Sequence, residues 1–226
     1  MDGLFQHNPS VLYWGTVTVA CLLGAMSPGP SLAIVVNHSL SQGRFAGVCV
    51  ALAHGLGIGI FAFLTAFGLV VAVDKNPLIF DVIQIFGSLF LLFMALKLLF
   101  APLQKPADIV VAMRSTPMKA ARDGFLIALL NPKILLFFTA LFSQFVRVDS
   151  EPWEKLMLTF IAAGVDALWY ILVALVISQT GLLSAFQKNS WWLDKIFSLV
   201  LFSLAFYFIV EISQTTDFAA ILDWLF

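Results

Sequence analysis

The sequence predicts an all-α integral membrane protein of about six transmembrane helices, arranged as two inverted three-helix repeats with helices 1 and 4 broken. Three observations carry this. Apolar residues fill 61% of the 226 positions and charged residues only 11%, a balance that no water-facing surface tolerates without aggregating. Between Val11 and Ile212 the charges gather into short clusters separated by apolar stretches of about twenty residues or more, enough to cross a hydrocarbon core as helix. Prolines stand inside two of those stretches, at Pro28 and Pro30 and again at Pro132. A transmembrane barrel would instead alternate apolar and polar residues over segments of about ten.

Segmenting by charge and by Pro and Gly gives helices near 11–37, 45–73, 78–101, 123–146, 153–179 and 192–213, then an amphipathic tail ending Trp224, Leu225, Phe226. Met1 to Ser10 contains no Lys or Arg and so lacks the basic region of a cleavable signal peptide. The first apolar segment is therefore expected to remain. Residues 1–226 read as a single transmembrane domain, with pseudo-repeats at about 10–102 and 120–214.

Helix 1 carries Ser27-Pro28-Gly29-Pro30, where two backbone donors are lost within three residues and the helix must break or kink. Helix 2 carries His54, ~15 Å of helical rise from Arg44 and so near mid-bilayer, where it could relay protons. Its neighbours Gly55, Gly57 and Gly59 form a small-residue stripe suited to close helix packing. That spacing is not GxGxxG and no strand precedes it, so it is no nucleotide site. Helix 4 repeats the break at Asn131-Pro132-Lys133, where the Asn131 side chain can bond the carbonyls that Pro132 leaves free. Helix 5 carries Asp166, with Trp169 and Tyr170 about a turn further on. Asn37 and His38 are expected to close helix 1 as a cap and interfacial anchor.

Three helices per half is an odd number, so a duplicated unit sits in the membrane in opposite orientations. Ser27-Pro28 then corresponds to Asn131-Pro132, Ala53-His54-Gly55 to Ala162-Ala163-Gly164, and Ile85-Phe86 to Ile196-Phe197. Irregular backbone at membrane depth survives only when buried in protein or lining a wet cavity, so paired breaks point to a substrate pocket. Lys133 and Asp166 are intramembrane charges of opposite sign, each costing about 3 kcal/mol to insert, which favours facing each other or a polar cavity. A static ion pair joining helices 4 and 5 is the structural alternative.

Basic residues collect on one face: Arg44, Lys105, Arg114, Lys119, Arg122, Lys188 and Lys195, with Lys97 able to snorkel towards it. The other face has Lys75, Arg147 and Lys155, offset by Asp74, Asp81, Asp149, Glu151 and Glu154. Retention of basic residues in the cytoplasm makes both termini external in a bacterial inner membrane. Cys21 and Cys49 lie in separate apolar segments with no neighbouring His, so no metal site and no cofactor is expected. A net charge of -1 without a basic stripe gives no reason to propose nucleic acid as a partner. Gly43xxxGly47 and Gly55xxxGly59 suit contacts within one subunit or between two copies, so a homo-oligomer stays open.

On Ser27-Pro28-Gly29-Pro30, the Gly43-Arg44-Phe45-Ala46-Gly47 connection, the Gly-rich helix 2 through Gly68, Gly124 to Lys133, and Asp166 to Trp169, the chain resembles the LysE/RhtB family of amino-acid exporters. The resemblance spans essentially the whole chain. It implies a secondary transporter, not an enzyme, exporting amino acids or related small zwitterionic metabolites with proton coupling. Family members often read Pro-Gly-Pro-Asn, whereas Ser31 follows Pro30 here, so hydrogen bonding at that break is expected to differ. The pocket expected from these residues comprises Ser27, Pro28, Gly29, Pro30, Ser31, His54, Asn131, Pro132, Lys133, Asp166 and Trp169, with Asp166 and His54 coupling to protons. A cation or metal permease of the same superfamily is the alternative, and Lys133 at the same depth opposes it. A non-transporting membrane scaffold is the other.

Overall fold

The computed structural model describes residues 11–27, 29–75, 77–100, 116–146, 150–177 and 182–215. Within them the chain is helical: α1 (Val11–Met26), α2 (Pro30–Gln42), α3 (Arg44–Lys75), α4 (Pro77–Leu99), α5 (Pro117–Leu130), α6 (Pro132–Phe145), α7 (Pro152–Ile177) and α8 (Leu182–Thr215). Pro30, Pro77, Pro117, Pro132 and Pro152 each open a helix, where a missing N–H costs nothing and the fixed φ is already helical. Proline thus punctuates this chain chiefly by starting helices.

Four helices, α3, α4, α7 and α8, are each long and apolar enough to cross a membrane. The pairs α1–α2 and α5–α6 bend by 61° and 54° at short breaks, and each passes the same test when counted as one span, for up to six. Each bend lies beside a proline that opens the second helix of the pair, Pro30 or Pro132. Several helix ends differ from expectation. α2 does not close at Asn37 and His38 but runs to Gln42, where Gly43 takes φ +88° and returns its N–H to the Ser39 carbonyl at 3.1 Å. α5 begins at Pro117 rather than near 123, because Thr116 caps it by accepting from the Lys119 amide at 3.3 Å. Lys119 and Arg122 therefore ride exposed on its first turns instead of lying in a connection. α8 starts at Leu182, ten residues before the expected 192. Lys105, Arg114, Arg147, Asp149 and the tail ending Trp224, Leu225 and Phe226 lie outside the described residues.

α3 packs along α7, and α4 along α8. α5 lies on α3 as α1 lies on α7, and α6 meets α3 as α2 meets α7, so these packings pair off when the two halves are exchanged. The α3–α7 contact is made by small residues. A Cβ added at Gly55 would stand 2.7 Å from the Ala167 Cβ and 3.0 Å from the Ala163 carbonyl, closer than packed atoms sit.

Two apolar layers result, one at each end of the bundle. The first joins the start of α1, the end of α3 and nearly all of α6 with α4 and α8, and is rich in rings: Tyr13, Phe138, Phe142, Phe145, Phe197 and Phe208. The Tyr13 hydroxyl donates to the Phe145 carbonyl at 2.8 Å, tying α1 to the end of α6. The second joins α2, the start of α3, α5 and the end of α7 through small aliphatics such as Val35, Val50, Ala51 and Ala174. His38, expected at an interface, is 4% exposed at this second end; its Nε2 stands 3.4 Å from Asp123 Oδ2 and its Nδ1 2.8 Å from Gln42 Nε2.

Gly55→Leu should therefore lower stability by about 1–3 kcal/mol, as overpacking does, and lower the thermal midpoint in detergent. Gly68→Leu serves as the control, since nothing lies within 4 Å of a Cβ there and the position is exposed, so its midpoint should match the unaltered chain.

Candidate functional site

The two breaks meet between the layers, and side chains from each satisfy the other. Asn131 ends α5 and starts α6, its Oδ1 accepting from the Lys133 amide at 3.0 Å, which is the cap expected of an asparagine. Its Nδ2 lies 3.4 Å from Ser31 Oγ at the start of α2. Lys133 Nζ in turn donates to Ser27 Oγ at 2.7 Å, where α1 ends, and sits 3.8 Å from the position a Cβ on Gly29 would take. At the other break Gly29 stands as N-cap of α2 and offers no side chain, so the first amides of α2 have no cap of the kind Asn131 gives α6.

His54 of α3 and Asp166 of α7 complete the site. Gly55 lets the two helices close beside them, and His54 Nδ1 lies 2.6 Å from Asp166 Oδ2, with side chains 1% and 9% exposed. The carboxylate can accept only from an Nδ1–H, and in the tautomer that carries its proton there the lone pair of the ring lies on Nε2. Nε2 is buried and has no partner among the described residues. The Tyr170 ring meets the imidazole edge to face, with centroids 5.0 Å apart.

These groups line one cavity of about 40 Å³, which also takes in Ser27, Gly29, Pro30, Ser31, Asn131 and Lys133. That is room for no more than a few waters. Of the expected residues, Pro28 lies outside the described ones, and Pro132 opens α6 without reaching the cavity wall. Tyr170, four residues after Asp166 and on its face, lines the cavity, whereas Trp169 packs with Val173 and its neighbours and leaves Nε1 buried without a described partner. Lys133 and Asp166 share the cavity, but Asp166 is held by His54 and Lys133 bonds Ser27, so no helix 4 to helix 5 ion pair is needed to account for either.

Sequence reasoning missed the cavity's apolar wall. Ile58 stands four residues after His54, Ala162 four before Asp166, and Phe137 four after Lys133, so a one-turn step from each polar residue would have found them. Cys21, read as a packing residue, also borders the cavity. Among the described residues no three His, Cys, Asp or Glu side chains come together as metal ligands.

The family description "LysE type translocator" matches residues 22–212. The chain is 29% identical over 148 residues to the leucine efflux protein of Salmonella typhimurium, covering 65% of this chain and 69% of that one, and the Salmonella typhi protein of that name matches equally. It is 31% identical over 136 residues to the uncharacterized membrane protein YahN of Escherichia coli, covering 58% and 59%. No solved structure matches.

Asn131→Ala should remove both the α6 cap and the bond to Ser31, lowering stability by about 1–2 kcal/mol, while Asn131→Ser, which still caps, should recover most of it. Thermal unfolding of the detergent-solubilised variants measures both.

Proposed function

Because the chain belongs to the LysE type translocator family, and is thus a multi-pass transporter of the bacterial inner membrane and no enzyme, we propose that its cavity exports zwitterions. The substrates are amino acids or related small metabolites, and protons move the other way. One observation carries this reading: a single buried cavity at two helix breaks holds a Lys ammonium and a carboxylate, the two charges that a zwitterion needs as counterparts. The substrate carboxylate meets Lys133 and the uncapped amides at the start of α2, where the positive end of a helix dipole lies. The substrate ammonium meets Asp166 and the free Nε2 of His54.

Coupling follows from the same pair. A proton arriving at His54 Nε2 removes that acceptor and makes the ring an imidazolium whose charge offsets that of Asp166, so the site loses its hold on the ammonium. Proton and substrate are then alternatives at one place, the condition for exchange. The relatives named for leucine efflux support an amino-acid substrate. Lys133 disfavours a metal or cation as cargo, because it repels a cation in a cavity this small.

The fold reading that accompanies this is one domain of two inverted repeats, 10–102 and 120–214, with α1–α2 and α5–α6 as the broken helices. It is supported by the packings that pair off on exchanging the halves. The basic residues at the α2–α3 junction and on α5 support an orientation with the layer of small aliphatics on the cytoplasmic side and both termini external.

Cells expressing the chain should release amino acids to the medium above an empty-vector control, and a protonophore should slow the release. Asp166→Asn, at equal abundance in the membrane, should cut it by about tenfold or more, the loss of one charged hydrogen bond to substrate. Mass spectrometry of cells and medium reads all of these. Release unchanged by Asp166→Asn would remove this pocket from the mechanism.

A further inference from the structure

The cavity has two chemically different ends. Its hydrogen-bonding side chains, from Ser27, Ser31, His54, Asn131, Lys133 and Asp166, cluster at the helix breaks. The wall towards the ring-rich layer is made by Ile58, Ile134, Phe137, Phe138, Ala162 and Phe197, which carry neither charge nor hydrogen-bonding group. Ile58, Ala162 and Phe137 each stand one helical turn beyond a polar residue, all in the same direction along the bundle, so the wall is continuous across α3, α7 and α6. A zwitterion whose ammonium and carboxylate are held at the breaks directs its side chain into this end.

Resting on that reading of the breaks, we infer that the apolar end is the side-chain subsite, that it admits neutral apolar side chains and rejects charged ones, and that Phe137 and Ala162 set its size. A charged side chain entering it would lose its water and find no partner. The end is closed by Phe137 lying against Gly24, so tightly that a Cβ on Gly24 would come within 2.9 Å of the Phe137 ring. A cavity of about 40 Å³ has no room for a branched side chain until that ring moves. Phe137 is placed to move, since it stands on α6 less than two turns past the Asn131 hinge. Ala162 faces the same space from α7, where any longer side chain would fill it.

The test is efflux from proteoliposomes loaded with a mixture of alanine, leucine, phenylalanine, lysine and glutamate, read by mass spectrometry as ratios, so that poor reconstitution lowers all rates but not their proportions. The unaltered chain should release alanine and leucine and retain lysine and glutamate at the level of empty vesicles. Phe137→Ala should raise the phenylalanine-to-leucine ratio, and Ala162→Leu should lower the leucine-to-alanine ratio, each by about tenfold, as a few methylenes of pocket size do. Phe137→Leu repeats the first test should Phe137→Ala fail to reconstitute. Release of lysine or glutamate as fast as leucine, or ratios unmoved by both size changes, overturns the inference while leaving amino-acid export standing. Retention of all five by the unaltered chain overturns the export reading itself, and the inference with it.

Discussion

Lys133 donates to Ser27 across the cavity while Asn131 reaches Ser31 beside it, and most of the architecture can be followed outward from this crossing of hydrogen bonds. A helix interrupted in hydrocarbon exposes amides and carbonyls that lipid cannot satisfy, at a cost of several kcal/mol for each group. Two interruptions can shelter each other from lipid and bond through their side chains, provided the half-helices bend far enough to bring them together. Bends of 61° and 54° do so. The polar centre of the molecule is thus a consequence of where prolines stand in the chain, and the surrounding helices enclose it.

Enclosure depends on the absence of side chains as much as on their presence. α3 and α7 lie close because Gly55 faces Ala163 and Ala167, and the same closeness puts the His54 ring within 2.6 Å of Asp166. A bulkier residue at Gly55 would separate the helices and the pair together. The carboxylate thereby has a hydrogen-bond partner, which softens the penalty of holding it among apolar helices.

The multi-pass helical bundle and the glycine stripe were legible in the sequence because each rests on a rule that acts along one helix: apolar length, small residues in a row. Partners across helices were not. The cost of Lys133 and Asp166 shows that each needs company, but not that a serine and a histidine supply it, because serines recur along apolar helices without marking which one faces inward. Tyr170 rather than Trp169 lines the cavity, because it stands one turn after Asp166 on the same helix face. The ends of α2 and α5 were missed because charge was taken to mark a loop, while a helix at the membrane surface carries Lys119 and Arg122 without unwinding. Thr116-Pro117 was the better signal.

The unequal layers on either side of the cavity bear on where the molecule waits between cycles. Parting the ring-rich layer would wet phenylalanines at Phe142, Phe145 and Phe208, whereas parting the other wets valines and alanines and so uncovers less apolar area. The barrier is lower on the small-residue side. On the proposed transport reading the carrier therefore loads more readily from the compartment facing α2 and α5, and its slow stroke is the one that unseals the aromatic plug.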